Sequence, residues 1–274
     1  MNTRSALSVV RTVIAVAALL SSSPFAAAAV IAADDFSYTL GSLNGTNGGS
    51  GWGSAWRAVS GASIVDPALD LSGNRALAIS ANNNNLAWRS LASSYSGNEM
   101  YVSMRMQLGS GTLNTNDFAS LWFDSVATGG HGTKPQIGIK GNINGSNDIF
   151  ARTTGSAGSF ASSSNVIAGQ TFLVIGKLSK VASLNYNHID LWFNPSASDF
   201  ATPDASFNGN SGLSSLTLLG LRSANLDKGD TVLIDDLRLA TSWVDVSPVP
   251  EPSSMILSAL GMCVIMGYRR RRQD

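Results

Sequence analysis

The chain has 274 residues, 44% of them apolar and 13% charged, which excludes a disordered polyelectrolyte and provides for one sizeable core. Its 18 basic and 18 acidic residues balance, but Arg4, Arg11 and Arg269–Arg272 lie at the two ends. The stretch from Asp34 to Val246 therefore holds 12 basic and 16 acidic residues, a net charge of −4 without basic clusters, which argues against nucleic acid as a partner.

The first segment reads as an export signal. Arg4 and Arg11 form a basic region, Thr12–Leu20 is apolar, and Pro24-Phe25-Ala26-Ala27-Ala28-Ala29 offers the small residues that signal peptidase requires. Cleavage is expected after Ala29, with Ala33 as the alternative, so 1–29 is assigned as a signal peptide. The single cysteine, Cys263, lies in an apolar run near the far end. The exported body must then be held by its core without disulfides.

Between residues 30 and 247 the hydrophobic period is two. Met100, Val102, Met104, Met106 and Leu108 alternate with Tyr101, Ser103, Arg105 and Gln107, and Ile189, Leu191 and Phe193 alternate with His188, Asp190 and Trp192. Shorter runs at 76–80, 86–91, 118–124, 136–140, 149–153, 171–178, 216–221 and 231–239 behave alike. Gaps such as Asn82–Asn85, Gly109–Gly111, Gly141–Asn147 and Asp227–Asp230 are rich in turn-forming residues. No helical stripe of ten residues interrupts them. The pattern predicts an all-β fold, two packed antiparallel sheets in a jelly-roll sandwich. Leu121-Trp122-Phe123-Asp124 and Leu191-Trp192-Phe193-Asn194 echo one another, each with Leu and Phe on one face and Trp on the other.

The body opens with Asp34-Asp35-Phe36-Ser37-Tyr38, then Gly51-Trp52 and Trp56, and closes with Ile234-Asp235-Asp236-Leu237-Arg238. These two segments resemble exported bacterial domains of the concanavalin A-like lectin/glucanase superfamily. The resemblance implies that the first and last strands lie side by side. If they do, Asp34 or Asp35 approaches Asp235 or Asp236, and hard oxygen ligands for a structural calcium result. Capping of turns by the same aspartates is the competing reading, and Asp227 and Asp230 read as plain turn residues. No other cofactor is expected.

Retaining hydrolases of that superfamily carry Glu-x-Asp-x-x-Glu on one strand, and the chemistry needs two carboxyls about 5–5.5 Å apart. The body has one glutamate, Glu99, with no acid two to five residues away; alternation sets it opposite the Met100 face and directed away from Tyr101. Asp124 and Asp190 sit on separate strands. There is no Gly-x-Ser-x-Gly elbow, no His-Glu-x-x-His and no cysteine cluster. The expectation is a protein that is not an enzyme, with an aspartate-based glycoside hydrolase and a purely structural matrix component as the alternatives. Sugars offer apolar faces ringed by hydroxyls, which aromatic platforms beside polar groups suit. Trp88, Tyr101, Trp122 and Trp192, with His188 and Asp190, are the candidate ligand-binding residues for an extracellular polysaccharide.

The tail from 248 to 274 begins with Pro250-Glu251-Pro252, a stiff strip because proline fixes φ. An uncharged run over 253–268 follows, about 24 Å long as a helix at ~1.5 Å per residue, and then Arg269-Arg270-Arg271-Arg272. The arginines should stay cytoplasmic, placing the body across the membrane. An ordinary single-pass anchor is the bland reading. The order of the three parts resembles the PEP-CTERM sorting signal of Gram-negative bacteria. That resemblance implies handover to the membrane enzyme exosortase, transient membrane retention by the helix, and final residence at the cell surface or outside the cell.

Overall fold

The computed structural model describes residues 29–69, 75–141, 147–155, 158–161 and 166–247. The expected signal peptide, the sorting tripeptide, the 253–268 helix and the basic tail lie outside the described residues, as do most of the turn residues expected at 141–147. Among the described residues no helix is long and apolar enough to cross a membrane.

In chain order the strands are β1 (Val30–Asp34), β2 (Gly41–Ser42), β3 (Arg57–Ala58), β4 (Ala62–Val65), β5 (Ala76–Ile79), β6 (Asn83–Tyr95), β7 (Glu99–Ser110) and β8 (Phe118–Asp124). They continue with β9 (Gln136–Gly141), β10 (Asn147–Arg152), β11 (Ser159–Phe160), β12 (Thr171–Ser179), β13 (His188–Phe193), β14 (Ala205–Asn208), β15 (Leu216–Ala224) and β16 (Thr231–Ala240). Two short 3₁₀ turns, His131–Thr133 and Ala197–Ala201, complete the described elements.

The strands form two antiparallel sheets. A nine-stranded sheet runs β14-β13-β12-β7-β16-β5-β4-β2 with β1 also paired to β16, and a seven-stranded sheet runs β11-β10-β9-β8-β15-β6-β3. The chain crosses between sheets at β2–β3, β3–β4, β5–β6, β6–β7, β7–β8, β11–β12, β14–β15 and β15–β16, as a jelly roll does. Between the layers Met100, Val102, Met104, Met106 and Leu108 meet Leu121, Phe123, Ile137, Ile139, Leu219 and Leu221 in one buried core. Alternation decides this outcome, because period-two apolar residues have one face to hide and the opposite sheet hides it.

The expected strands are all present, with small changes at their ends. One turn is corrected: Asn83–Asn85 open β6, and Asn83 pairs with Ser223. At the chain's close the alternation is deliberately out of phase. Val232 and Ile234 face the core, then Leu237 and Leu239 do, across a register shift between Asp235 and Arg238 where Asp236 adopts φ 48°. An extra residue at this bulge flips the phase and restores burial.

Candidate functional site

The first and last strands pair as expected, Asp34 standing opposite Leu237. The four aspartates there do not converge as calcium ligands. Asp34 turns into the core, where its Oδ2 lies 2.6 Å from Arg89 Nη1, both side chains being fully buried. Tyr38 Oη (2.7 Å), Trp56 Nε1 (2.8 Å) and the Phe36 amide (3.0 Å) also donate to this carboxylate. The Arg89 guanidinium lies 4.5 Å from the Trp52 ring centroid and 5.4 Å from that of Trp56. The opening motif thus encodes a buried ion pair walled by aromatics. Asp235 is equally buried and accepts from the amides of Leu69 and Asp236. Asp35 and Asp236 line a surface pocket with Ser50, but Asp236 already pairs with Arg238 at 3.0 Å and Arg105 at 3.8 Å. With Asp34 saturated by donors and Asp236 by cations, this set does not fit a calcium ion. Three other carboxylates, Asp117, Asp227 and Asp230, bring ligand atoms within 4.8 Å of one another. They accept hydrogen bonds from Asn114, Thr112 and the Asp227 amide while closing the β15–β16 turn.

The six candidate ligand-binding residues divide between the two outer faces. On the nine-stranded sheet a row runs Asp190–Lys177–Tyr101–Ala240, with Trp192 and His188 flanking Asp190 along β13. This face is roofed. Tyr101 and Trp192 are buried with Trp243 and Val246 in a second apolar cluster, and Phe200 lies against it. Trp192 Nε1 donates to the Asp199 carbonyl within the short 197–201 turn. His188 and Asp190 are bonded to each other at 2.8 Å and to Asn208 and Ser206 on β14. Glu99, expected to point away from Tyr101, shares its face: Tyr101 Oη is 3.4 Å from Glu99 Oε2, and Lys177 pairs with Glu99 at 3.0 Å. Residues 99 and 101 are two apart on a strand, so a common face follows.

The seven-stranded sheet carries the richer chemistry. Successive pairings align Arg57, Trp88, Gly220, Trp122, Gln136 and Arg152 across six strands in one row on its outer face. The neighbouring row holds Arg222, Ser120, Gly138, Phe150 and Phe160. Trp122 lies over Gly220, where a Cβ would stand 2.6 Å from Trp122 Cε2 and 2.5 Å from the Ala87 carbonyl oxygen. Trp122 is no open platform, because His131 stacks on it with ring centroids 3.5 Å apart and planes within 3°. His131 Nδ1 is held 3.0 Å from Asp124 Oδ2, while its buried Nε2 has no partner. Trp88 remains half-exposed, with the Arg57 guanidinium 5.0 Å from its ring centroid. Of the four aromatic candidates it alone keeps accessible ring surface.

Sequence reasoning missed the polar network beside Trp122. Gln136 donates through Nε2 to the carbonyls of His131 (2.6 Å) and Lys134 (3.3 Å), which fixes its Oε1 towards Ser120 Oγ (3.0 Å), Arg152 Nη2 (2.9 Å) and Arg222 Nη1 (3.3 Å). Arg222 also donates to Asn84 Oδ1 at 2.6 Å. Burial lowers the pKa of both guanidinium groups, and the Arg222 charge helps to push Arg152 down to about 10. Asp124 and Asp190 project from opposite sheets, so no register could pair them as acid and nucleophile.

Residues 248–272 match the PEP-CTERM protein-sorting motif. No curated protein matches the chain. Among solved structures it is similar to a carbohydrate esterase from a Shiga toxin-encoding bacteriophage, at 13% identity over 78% of this chain and 98% of that one, with TM-score 0.48. A glycosyl hydrolase family protein from Mycobacterium fortuitum is 14% identical over 77% of this chain and 99% of its own, with TM-score 0.42. A CBM22-1 xylan-binding domain from Paenibacillus barcinonensis is 13% identical over 78% and 94%, with TM-score 0.34. The PEP-CTERM motif indicates export to the surface or exterior of a Gram-negative cell and implies exosortase as the processing partner. The last strand ends at Ala240, and the matched motif begins at residue 248.

Proposed function

We propose that this protein is a surface-displayed glycan-binding module, delivered by signal peptidase and exosortase and without catalytic activity of its own. The observation that carries the reading is the outer face of the seven-stranded sheet, where the half-exposed Trp88 stands beside exposed Arg57, in line with the buried polar groups Gln136, Ser120, Arg152 and Arg222 of the adjacent strands. An accessible indole beside fixed donors and acceptors is the chemistry that sugar rings require. Against a hydrolase stand the positions of the acids. Asp124 is tied to His131 and Lys134, Asp190 to His188 and Ser206, and the two lie on opposite faces. His131 Nε2 has no hydroxyl to activate, so the Asp124–His131 pair supports orientation of the loop over Trp122 rather than nucleophilic chemistry.

A glycan array probed with the protein secreted by its host should give binding that is lost in Trp88→Ala, with no release of reducing ends from the bound polysaccharides. Absence of binding would favour the structural-matrix alternative, and turnover abolished by Asp124→Asn would favour the hydrolase. Mass spectrometry of the surface-released protein should find Arg269–Arg272 removed, and Glu251→Ala should leave it full length and membrane-held.

A further inference from the structure

Trp122 stands in the same row of the seven-stranded sheet as Trp88, with Gly220 between them and no side chain there to part the two indoles. Two strand spacings of ~4.7–4.9 Å set their backbones about 10 Å apart. Trp122 is nonetheless buried, because the His131 ring lies parallel to it with centroids 3.5 Å apart. Between Ser125 and Lys134 only His131 is buried. The chain beside it is loosely packed: a Cβ at Gly129 or Gly130 would meet nothing within 4 Å, and Gly129 has φ 109°.

This cap is incompletely bonded. His131 Nδ1 is held 3.0 Å from Asp124 Oδ2, but His131 Nε2 and Trp122 Nε1 are both buried without a hydrogen-bond partner. Unpaired polar atoms in a protein interior are disfavoured, and lifting the loop returns both to water. Few contacts oppose that motion. Besides the ring stack and the Asp124 contact, they are Lys134 Nζ 3.7 Å from Asp124 Oδ1 and the Gln136 amide, which donates to the carbonyls of His131 and Lys134. The two ends of the loop are anchored separately. Asn85 Nδ2 donates to the Ala127 carbonyl at 2.8 Å, Thr217 Oγ1 to the Ser125 carbonyl at 3.0 Å, and the Phe123 amide to the Pro135 carbonyl at 3.0 Å. A segment fixed at both ends with one buried side chain between them can open locally while the sheet stays folded. Opening bares the stacked face of the indole and frees the Gln136 N–H groups and Asp124 Oδ2 beside it. An apolar platform with its own donor and acceptor then appears in one step.

We propose that Trp122 is a second sugar subsite in line with Trp88, kept closed in the free protein by its own loop, with His131 stacked where a pyranose ring of a neutral glycan would lie. This rests on the glycan-binding reading of the same face. A glycan that rests on Trp88 and extends along the row displaces the imidazole, so binding and loop opening are coupled. Apparent affinity is the intrinsic affinity reduced by the open fraction, and removing the cap recovers it.

The test titrates the full secreted protein calorimetrically with soluble xylan, β-glucan and dextran. His131→Ala should bind the polymer that the wild type binds at least about threefold more tightly. Asn85→Ala, which loosens the anchor at Ala127 and leaves the platform intact, should shift affinity the same way. Adding Trp122→Ala to either variant should abolish the gain, whereas Trp88→Ala removes binding as a whole. In the wild type, diethyl pyrocarbonate acylates accessible imidazole nitrogens and should modify His131 several-fold faster with the glycan bound. Peptide mass mapping reads this out, with His188 on the opposite sheet as internal reference. A purely structural role for His131 predicts a lower melting temperature in His131→Ala, no tighter binding, and no acceleration of the modification by glycan. That result overturns the closed subsite and leaves glycan binding at Trp88 standing. If neither the wild type nor His131→Ala binds any of the three polymers, both readings fall.

Discussion

The sharpest stability test is Arg89→Met, which removes the cation from a fully buried pair while keeping a long apolar side chain to fill the space. Asp34 and Arg89 are 2.6 Å apart with no exposed side-chain surface, so water cannot replace the lost partner. Breaking a buried pair from one side costs about 3–5 kcal/mol. That is a large share of the roughly 5–15 kcal/mol that holds a typical domain together. At about 2–4 °C per kcal/mol for a chain of this size, the melting temperature should fall by roughly 6–20 °C. Asp34→Ala should cost at least as much, because it strands Arg89 and the donors Tyr38, Trp56 and Phe36 together. The pH dependence has a definite sign. Burial raises the Asp34 pKa from its ordinary value, against the hydrogen bonds from Trp56, Tyr38 and Phe36 and the charge of Arg89. A carboxyl raised by folding contributes stability that is full below its unfolded value and lost as pH rises through its folded value. Removing Arg89 removes one lowering influence, so the deficit of Arg89→Met relative to wild type should shrink between pH 7.5 and pH 5. Thermal melts and urea titrations of the secreted protein at both pH values read this out. A deficit below about 1 kcal/mol, or one that grows on acidification, would refute the account.

Three further outcomes follow from the same geometry. Gly220→Ala puts a methyl group against the Trp122 ring and the Ala87 carbonyl, and should cost about 1–3 kcal/mol in urea unfolding, with the Trp122 fluorescence altered in the folded state. The mature N-terminus should fall at Val30 and not at Asp34 when sequenced, because Ala32 is fully buried and the Ala33 carbonyl accepts from the Ser50 amide and Trp52 Nε1. A body expressed without residues 30–33 should correspondingly melt several degrees lower. Trp243→Ala should cost about 3–5 kcal/mol by opening the cluster it shares with Tyr101, Ile175 and Trp192, a loss that an unchanged melt would contradict.

The strands were legible because each buries one face against the opposite sheet, which writes a period of two into the sequence; Phe118–Asp124 was located to the residue. The paired Leu-Trp-Phe segments were also read correctly as to face, with Leu121, Phe123 and Leu191 in the core and both tryptophans outside it. What covers those tryptophans was not legible. His131 comes from a glycine-rich loop, and the roof over Trp192 comes from a short turn and the segment after β16, none of which has a periodic signature. Arg89 escaped notice for a related reason: it stands opposite Leu219 in an inward position, where a charged side chain is expected only once its partner, 55 residues away, is known. Alternation around Ile137, Ile139, Leu219 and Leu221 does place Gln136 and Arg222 on the outer face. Their convergence depends on β9, β8 and β15 being neighbours, and strand order is a long-range property that local pattern does not carry.

The two ends of the described body emerge together. Val30 pairs with Ala240, and the Thr241 amide donates to the Ala29 carbonyl, so the body begins and ends at one corner of the nine-stranded sheet. From there residues 241–247 fold back over that sheet's outer face, held by Trp243 and Val246. Five residues lie between Ser247 and Ser253, and the six steps at ~3.3–3.6 Å each reach at most about 20 Å. If the tail is held in the membrane as proposed, so short a link keeps the body close to it. Val246, the last residue but one of the described body, packs on the face opposite the Trp88–Arg152 row, so a tail continuing from there need not obstruct the side on which the candidate site lies. On the proposed reading, in which exosortase processes the tail and the Trp88 face binds glycan, the same contacts should be available before and after processing.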